Sequence, residues 1–299
     1  MLDYPAIRTV AAVVRTGSFE RAAEALGITP SAVSQRVRGL EERVGARLIV
    51  RAVPCRATDA GEAVCRHAEA VGLLEGDLFA ALPGLSGPRG SGRPTVSLAV
   101  NSDSLASWFL PALASLPDEA RDLYALSLDD EGHTATWLEE GRVLAAVTAI
   151  ERPVPGCRVV PLGAQRYLAT ASPGFMARHF ADGVTAEALA EAPALTFDAK
   201  DRLQEHFAAR AAGRPVPMPT HGLPSSEGFV EAARLGLGWG MNVEAMVRPL
   251  IEAGELVELL PGSPLDVPLY WQVARRVETS LVRLTRAIRE SARRSLVQR

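Results

Sequence analysis

Ser31, Ser34, Gln35 and Arg38 recur at helical spacing near the N-terminus and carry the chemistry needed to read a DNA groove. Gln and Arg can each meet a base edge with two hydrogen bonds, while Ser hydroxyls and backbone N–H groups hold phosphate. Ser18, Arg51 and Arg56 stand close by in sequence and would add contacts to the phosphate backbone. The same residue types decorate any solvated helix, so the spacing alone leaves an ordinary wet face open. A second kind of chemistry sits in two polar segments, Asn101-Ser102-Asp103-Ser104 and Pro224-Ser225-Ser226-Glu227. At the start of a helix such hydroxyls and N–H groups can take a small carboxylate, or can do no more than cap the helix.

The elements that would position these groups follow from periodicity. Apolar residues at Ile7, Val10, Ala11 and Val14, and again at Phe19, Ala22, Ala23 and Leu26, predict two short one-sided helices. Gly17 ends the first and Ser18 caps the second. Gly27-Ile28-Thr29 makes a tight turn, with Thr29 or Ser31 as the next cap and Pro30 at a helix start. A third helix is expected from about Ser31 to Val44, ending at Gly45. Its buried stripe is Val33, Val37, Leu40 and Val44, which turns Ser31, Ser34, Gln35 and Arg38 outward. Residues 48–51 and 56–58 bracket Ala52-Val53-Pro54-Cys55 as a short hairpin, a wing with Arg51 and Arg56 near phosphate.

From Asp59, read as a cap, Ala60, Val64, His67, Val71, Leu74, Leu78 and Ala81 alternate in steps of four and three, a heptad seam. A lone helix burying that stripe on its own domain fits nearly as well. The helix is expected to end near Leu82-Pro83-Gly84, and residues 86–94 read as a hinge by composition. Beyond Pro94, candidate strands at 96–100, 124–128, 143–148, 167–170, 194–197, 239–242 and 269–274 alternate with helices at 105–116, 134–140, 202–212, 226–235, 244–253 and 280–296. That alternation predicts an α/β body with parallel strands. The two polar segments fall at strand and helix ends, where such folds bind ligands, and Thr148 closes a strand in the same way.

The full chain of 299 residues has a net charge of −3, but residues 1–58 hold nine arginines against five acids. A head of net +4 on a body of net −7 is the asymmetry of a nucleic-acid-binding module joined to something else. No apolar run approaches the roughly 20 residues a bilayer helix needs. The acidic start Met1-Leu2-Asp3 lacks a signal peptide's basic region, so a cytoplasmic protein is expected. Cys55, Cys65 and Cys157 are too few and too scattered for a disulfide framework or a zinc finger. His67, His133, His179, His206 and His221 do not join them at metal-ligand spacing. There is no G-x-G-x-x-G after a strand, no Walker loop, no H-E-x-x-H and no G-x-S-x-G. No catalytic residues, metal or cofactor are therefore assigned.

The unbroken run from Gly17 to Glu41, G-S-F-E-R-A-A-E-A-L-G-I-T-P-S-A-V-S-Q-R-V-R-G-L-E, resembles the winged helix-turn-helix of LysR-type transcriptional regulators. Arg51-Ala52-Val53-Pro54, Asn101-Ser102-Asp103-Ser104-Leu105-Ala106 and Gly236-Leu237-Gly238-Trp239-Gly240-Met241 are similar to the lysine/arginine-responsive branch typified by ArgP and LysG, so the likeness spans the chain. It implies an α+β multidomain protein: a winged helix-turn-helix over 1–58, a linker helix and hinge over 59–94, and a two-lobed α/β effector domain over 95–299, resembling periplasmic binding proteins. Lobe one would be 95–163 plus 267–299 and lobe two 164–266, crossing near Gly163 and Val267.

The partners the likeness implies are double-stranded promoter DNA, a lysine or arginine effector, RNA polymerase and further copies of the chain. Those copies would form a homodimer through the linker helix and a homotetramer as a dimer of dimers. The regulated gene would be a basic-amino-acid exporter or a related metabolic gene. A basic effector needs anionic partners, since an unpaired buried ammonium is costly. Ser102, Asp103 and Ser225 are expected at its α-amino-acid end and Asp129 or Asp198 near its side-chain amine. Asn101, Ser104, Thr148 and Glu227 complete the expected site, with Asp130 and Asp201 as further acids at strand ends. The alternatives left open are a LysR-type regulator for a different small molecule, a DNA-binding protein whose body only oligomerises, and an α/β enzyme.

Overall fold

The computed structural model describes residues 3–82, 95–117, 122–128 and 134–298. The expected hinge at 86–94 and the turn holding Asp129 and Asp130 lie outside them.

Three helices build the N-terminal head: α1 (Tyr4–Thr16), α2 (Phe19–Leu26) and α3 (Pro30–Val44). Asp3 and Ser18 cap the first two, and Thr29 caps the third by accepting the Ala32 N–H at 3.2 Å. Pro30 thus opens α3, one residue before the expected start, because it occupies a position whose N–H is unused. Ile7, Val10, Val13, Ala22, Val33, Val37 and Leu40 form the core. Val44, expected in that stripe, is exposed: α3 has run past the three-helix core by its last turn. The wing is β1 (Ile49–Val50) paired antiparallel with β2 (Arg56–Ala57). Glu41 on α3 holds its root by accepting the Leu48 and Ile49 N–H groups at 2.8 and 3.3 Å.

Helix α4 (Asp59–Ala81) is capped by Thr58 rather than by Asp59. The Thr58 hydroxyl accepts the Gly61 N–H at 3.1 Å and donates to the Arg47 carbonyl at 2.7 Å, which leaves Asp59 in the helix's first turn, where its charge suits the dipole. Ala60, Val64, Cys65 and Ala68 pack on the head, and His67 stacks on Tyr4 with ring centroids 5.9 Å apart. Much of the N-terminal half of the seam is therefore used within the chain, while Leu74 and Leu78 stay exposed. The Ala81 side chain lies outside the described residues. Gly61 allows the close approach: a Cβ there would stand 1.9 Å from the Leu48 carbonyl oxygen.

The body comprises β3 (Thr95–Val100), α5 (Ser102–Ser104), a π-helical turn (Leu105–Phe109), α6 (Leu110–Ala114), β4 (Leu123–Leu128), α7 (Thr134–Glu139) and β5 (Ala145–Thr148). It continues through β6 (Cys157–Ala171), α8 (Pro173–His179), α9 (Ala186–Glu191), β7 (Ala194–Thr196), α10 (Leu203–Ala212) and β8 (Thr220–Gly222). The last elements are α11 (Ser226–Arg234), β9 (Gly240–Val243), α12 (Glu244–Glu252), β10 (Val257–Glu258), β11 (Leu265–Ala274), a 3-10 turn (Arg275–Val277) and α13 (Val282–Ser295).

The sheet is mixed, which corrects the expectation of parallel strands. Among the named strands of the described residues, β3 with β4, β3 with β5, and β7 with β8 pair parallel. β11 runs antiparallel to β5 and β6, and β6 antiparallel to β9 and β10. The long ribbon of β6 and β11 crosses from one core to a second. One core gathers Leu98, Phe109, Leu144, Trp271 and Ile288, the other Phe175, Leu189, Phe207, Trp239 and Met241. Arg166 and Asp266 face each other across the ribbon in a two-pronged pair at 2.8 and 2.9 Å. Gly163, with φ +117°, lies opposite the register shift at Leu269/Tyr270. Among the described residues no helix is long and apolar enough to cross a membrane, and no cluster of His, Cys, Asp and Glu could hold a metal ion.

Gly61→Ala should cost about 1–3 kcal/mol, because the backbone of the wing root must move. Gly72→Ala in the same helix meets open space and should stabilise by up to about 1 kcal/mol through helix propensity. Thermal melting of the two variants checks the contrast.

Candidate functional site

Two surfaces carry chemistry. On α3, Ser31, Gln35 and Arg38 are exposed and Ser34 is half-buried, on the side away from Val33, Val37 and Leu40. Arg38 bonds Glu42 at 2.9 Å with both side chains largely exposed. Such a pair holds only about 0.3–0.5 kcal/mol, so the guanidinium can leave it for a stronger anion. The Ser18 hydroxyl accepts the Glu20 and Arg21 N–H groups and donates to the Glu20 carboxylate at 2.7 Å. Arg51 lies over the Phe19 ring, 5.1 Å from its centroid, which sets the wing's guanidinium beside the start of α2. Arg56 is exposed on β2.

The second surface is a cavity of about 390 Å³ walled by elements from both parts of the body, including the end of β3, β6, α11 and β9. Asn101, Ser102 and Asp103 reach it from the carboxyl end of β3, where the strand hands over to α5. Asp103 is held from the opposite side: Tyr167 on β6 donates to Oδ2 at 2.7 Å, and Ser226 at the start of α11 donates to Oδ1 at 2.6 Å. Ser226 also lies 2.8 Å from the Ser102 hydroxyl. One end of the Asn101 amide is buried with no partner among the described residues.

Residues 197–206 form another wall. Asp198 accepts the Lys200 and Asp201 N–H groups at 2.7 and 3.0 Å, and Asp201 accepts those of Phe197 and Leu203 at 2.9 and 3.0 Å. Burial pushes the Asp201 carboxyl above the usual aspartate range; the two backbone donors oppose the shift, and the negative charge of Asp103 adds to it. Lys200, Arg202 and His206 bring positive and titratable groups to the same wall. The negative charge of Asp103 thus opposes ionisation of Asp201, and a cation at this wall would relieve that repulsion.

Of the residues singled out in the sequence, Asn101, Ser102, Asp103, Asp198 and the further acid Asp201 line the cavity. Ser104 is buried beneath the strand end, and the Thr148 hydroxyl turns to the Ile150 N–H at 3.1 Å, leaving its neighbour Ala149 at the wall. Ser225 caps α11 by accepting the Gly228 N–H at 3.1 Å, and Glu227 is exposed 3.5 Å from it. Asp129 lies outside the described residues. Tyr167, Lys200 and Asn242 were not singled out, and Ser226 was named only within its polar segment. For Ser226 a signal existed: a capping hydroxyl is committed to backbone N–H groups, which frees the next side chain.

Two family models match the chain, "Bacterial regulatory helix-turn-helix protein, lysR family" over 5–62 and "LysR substrate binding domain" over 89–296. The chain belongs to the LysR family of transcriptional regulators. The LysR-type regulator LysG of Mycobacterium tuberculosis is 44% identical over 291 residues, covering 97% of this chain and 94% of its own. The crystal structure of ArgP from Mycobacterium tuberculosis superposes with a TM-score of 0.77 at 42% identity, covering all of both chains. Full-length LysG from Corynebacterium glutamicum, whose structure holds the effector Arg, gives 0.65 at 38% identity over 99% of this chain and 100% of that one. As a LysR-type regulator the chain is a DNA-binding protein and not an enzyme, with a winged head and a two-lobed α/β effector domain.

The raised Asp201 pKa means that the folded protein holds this proton more tightly than the unfolded chain does. The associated stability is present below the ordinary aspartate range and is lost as pH rises through the raised value. Asp201→Asn keeps an acceptor and removes the titration. Its Tm should gain on that of the native protein as pH rises from about 4, and melting curves across pH read the difference.

Proposed function

We propose that this LysR-type regulator is a cytoplasmic protein that binds promoter DNA and responds to a basic amino acid, lysine or arginine. The observation that carries the effector assignment is the set of carboxylates in one cavity: Asp103, Asp198 and Asp201, with the spare Asn101 amide beside them. Ser102, Asp103 and the first turn of α11 at Ser226 take the α-amino-acid end. Asp198 and Asp201 take the side-chain cation, with Asp129 as the further candidate. Thr148 and Ser225 act behind the wall by fixing a strand end and a helix start, and Ser104 and Glu227 are further candidates beside the site. The arginine bound to the Corynebacterium glutamicum relative supports this choice of ligand class.

On the DNA, Gln35 and Arg38 meet base edges, Ser31 and Ser34 assist at the groove, and Ser18, Arg51 and Arg56 meet phosphates. Copies pair through the exposed Leu74 and Leu78 of α4, and two such dimers form a tetramer that bends its site and engages RNA polymerase. Lobe one, 95–163 plus 267–299, and lobe two, 164–266, close on the ligand. Closure shifts the spacing of the DNA heads only if the ligand binds one arrangement better than the other. The regulated gene is a basic-amino-acid exporter or a related metabolic gene.

Thermal melting with each of the twenty amino acids tests the effector. A ligand at about 100 times its Kd adds roughly 2.7 kcal/mol, so lysine or arginine should raise Tm where the others do not. A rise with a neutral amino acid and none with either base would contradict the reading. For the head, Gln35→Ala should relax base preference. Arg51→Ala should weaken binding to all sequences alike and lower the salt slope by about one. Binding isotherms at several salt concentrations distinguish the two, and equal effects from both variants would sink the assignment.

A further inference from the structure

Helix α4 touches both ends of the molecule. Its first half lies in the core of the head, while Ala70 and Leu73 of its second half pack into the core that contains β3. Polar contacts tie the helix to both units without following that division. Glu75 pairs with Arg8 of α1, and Asp77 accepts the Ser280 hydroxyl of the body. Nearer the middle of the helix stands Glu69, whose carboxylate accepts the backbone N–H of Ser97 in β3 at 2.5 Å.

That N–H is a particular one. β3 joins β5 only from Leu98, opposite Ala145, and the Leu144 N–H goes to the Ser97 carbonyl. The ladder on that edge starts too late to provide an acceptor for the Ser97 N–H, and Glu69 supplies it. Four residues further along the same strand, about 13 Å at the usual rise, the chain enters the cavity at Asn101, Ser102 and Asp103. Setting a carboxylate into this half-apolar seam carries a desolvation cost: burial pushes the Glu69 carboxyl up, against the Ser97 bond and the nearby Arg276 charge. An alanine would fill the seam without that cost, so packing alone does not account for the residue.

We infer that Glu69 is a positioning residue that ties the linker helix to the strand feeding the effector cavity, so that movement of β3 is passed to the DNA-binding head. The docking stands on the bond itself. The passage of an effector signal through it rests on the cavity taking a basic amino acid.

Hydrogen exchange of the full-length protein, followed by mass spectrometry, tests both parts with Glu69→Ala and Glu69→Gln. Without ligand, the Ser97 amide should exchange about tenfold faster in Glu69→Ala, and Glu69→Gln, which keeps an acceptor oxygen, should stay within about threefold of the native rate. Native exchange at Ser97 in Glu69→Ala would overturn the docking. With arginine, the native protein should change exchange both in the cavity segments 95–103 and 197–206 and in α4 beyond residue 69. Glu69→Ala should respond in the cavity alone, and a full response in its α4 would overturn the inference. Loss of the α4 response in Glu69→Gln as well, with Ser97 protection kept, would also overturn it. If arginine protects no cavity segment of the native protein, the effector reading fails, and the docking is still decided by the ligand-free rates.

Discussion

Asp103 is the interaction on which the body depends. It leaves the end of a strand in one core, yet both of its oxygens are held by hydroxyls from elements beyond that strand, Tyr167 on β6 and Ser226 on α11. Hydrogen bonds to a charged acceptor are worth about 1.5–3 kcal/mol each. One carboxylate thereby joins the two halves of the domain at the place where they could part. Asp103 also lines the cavity, so a ligand there meets the residue whose bonds join the halves. A cation adds to them, because it is drawn to the carboxylate without displacing its donors.

The rest of the architecture carries that junction outward. β6 and β11 cross from one core to the other as a continuous antiparallel ribbon, pinned by Arg166 and Asp266. Two crossings make a pivot that limits the halves to a few relative movements. At the other end, α4 is too long to belong to either unit: its 23 residues span about 35 Å, and its two halves are buried in different cores. The head is thus joined to the body by a stiff element and not by the peptide chain alone.

The head was almost wholly legible in the sequence because everything that shapes it is local. Caps, turn residues and one-sided apolar stripes act within a few positions of one another, and only the ends shifted: Thr58 for Asp59, Pro30 for Ser31, Val44 exposed. The body was legible in part. Strands with continuous apolar runs, such as 96–100, were evident, whereas most of β6 and half of β11 were hidden because Arg158, Pro161, Gln165, Arg166 and Asp266 break those runs. Their order comes from pairing with each other over a distance of about 100 residues. The cavity divided in the same way. Asn101 to Asp103, and the acids Asp198 and Asp201, announce themselves at strand ends, but Tyr167 and Lys200 reach the site only through the ribbon and a loop whose place the tertiary structure sets.

The most direct measurement is calorimetric titration of the full-length protein with arginine, lysine and norleucine. Norleucine keeps the aliphatic side chain and the α-amino-acid end of lysine and lacks its terminal ammonium. If the cavity selects its ligand through Asp103, Asp198 and Asp201, the two bases should bind, and norleucine should bind at least about tenfold more weakly for want of a charge-assisted bond. Norleucine binding as tightly as lysine would contradict the account.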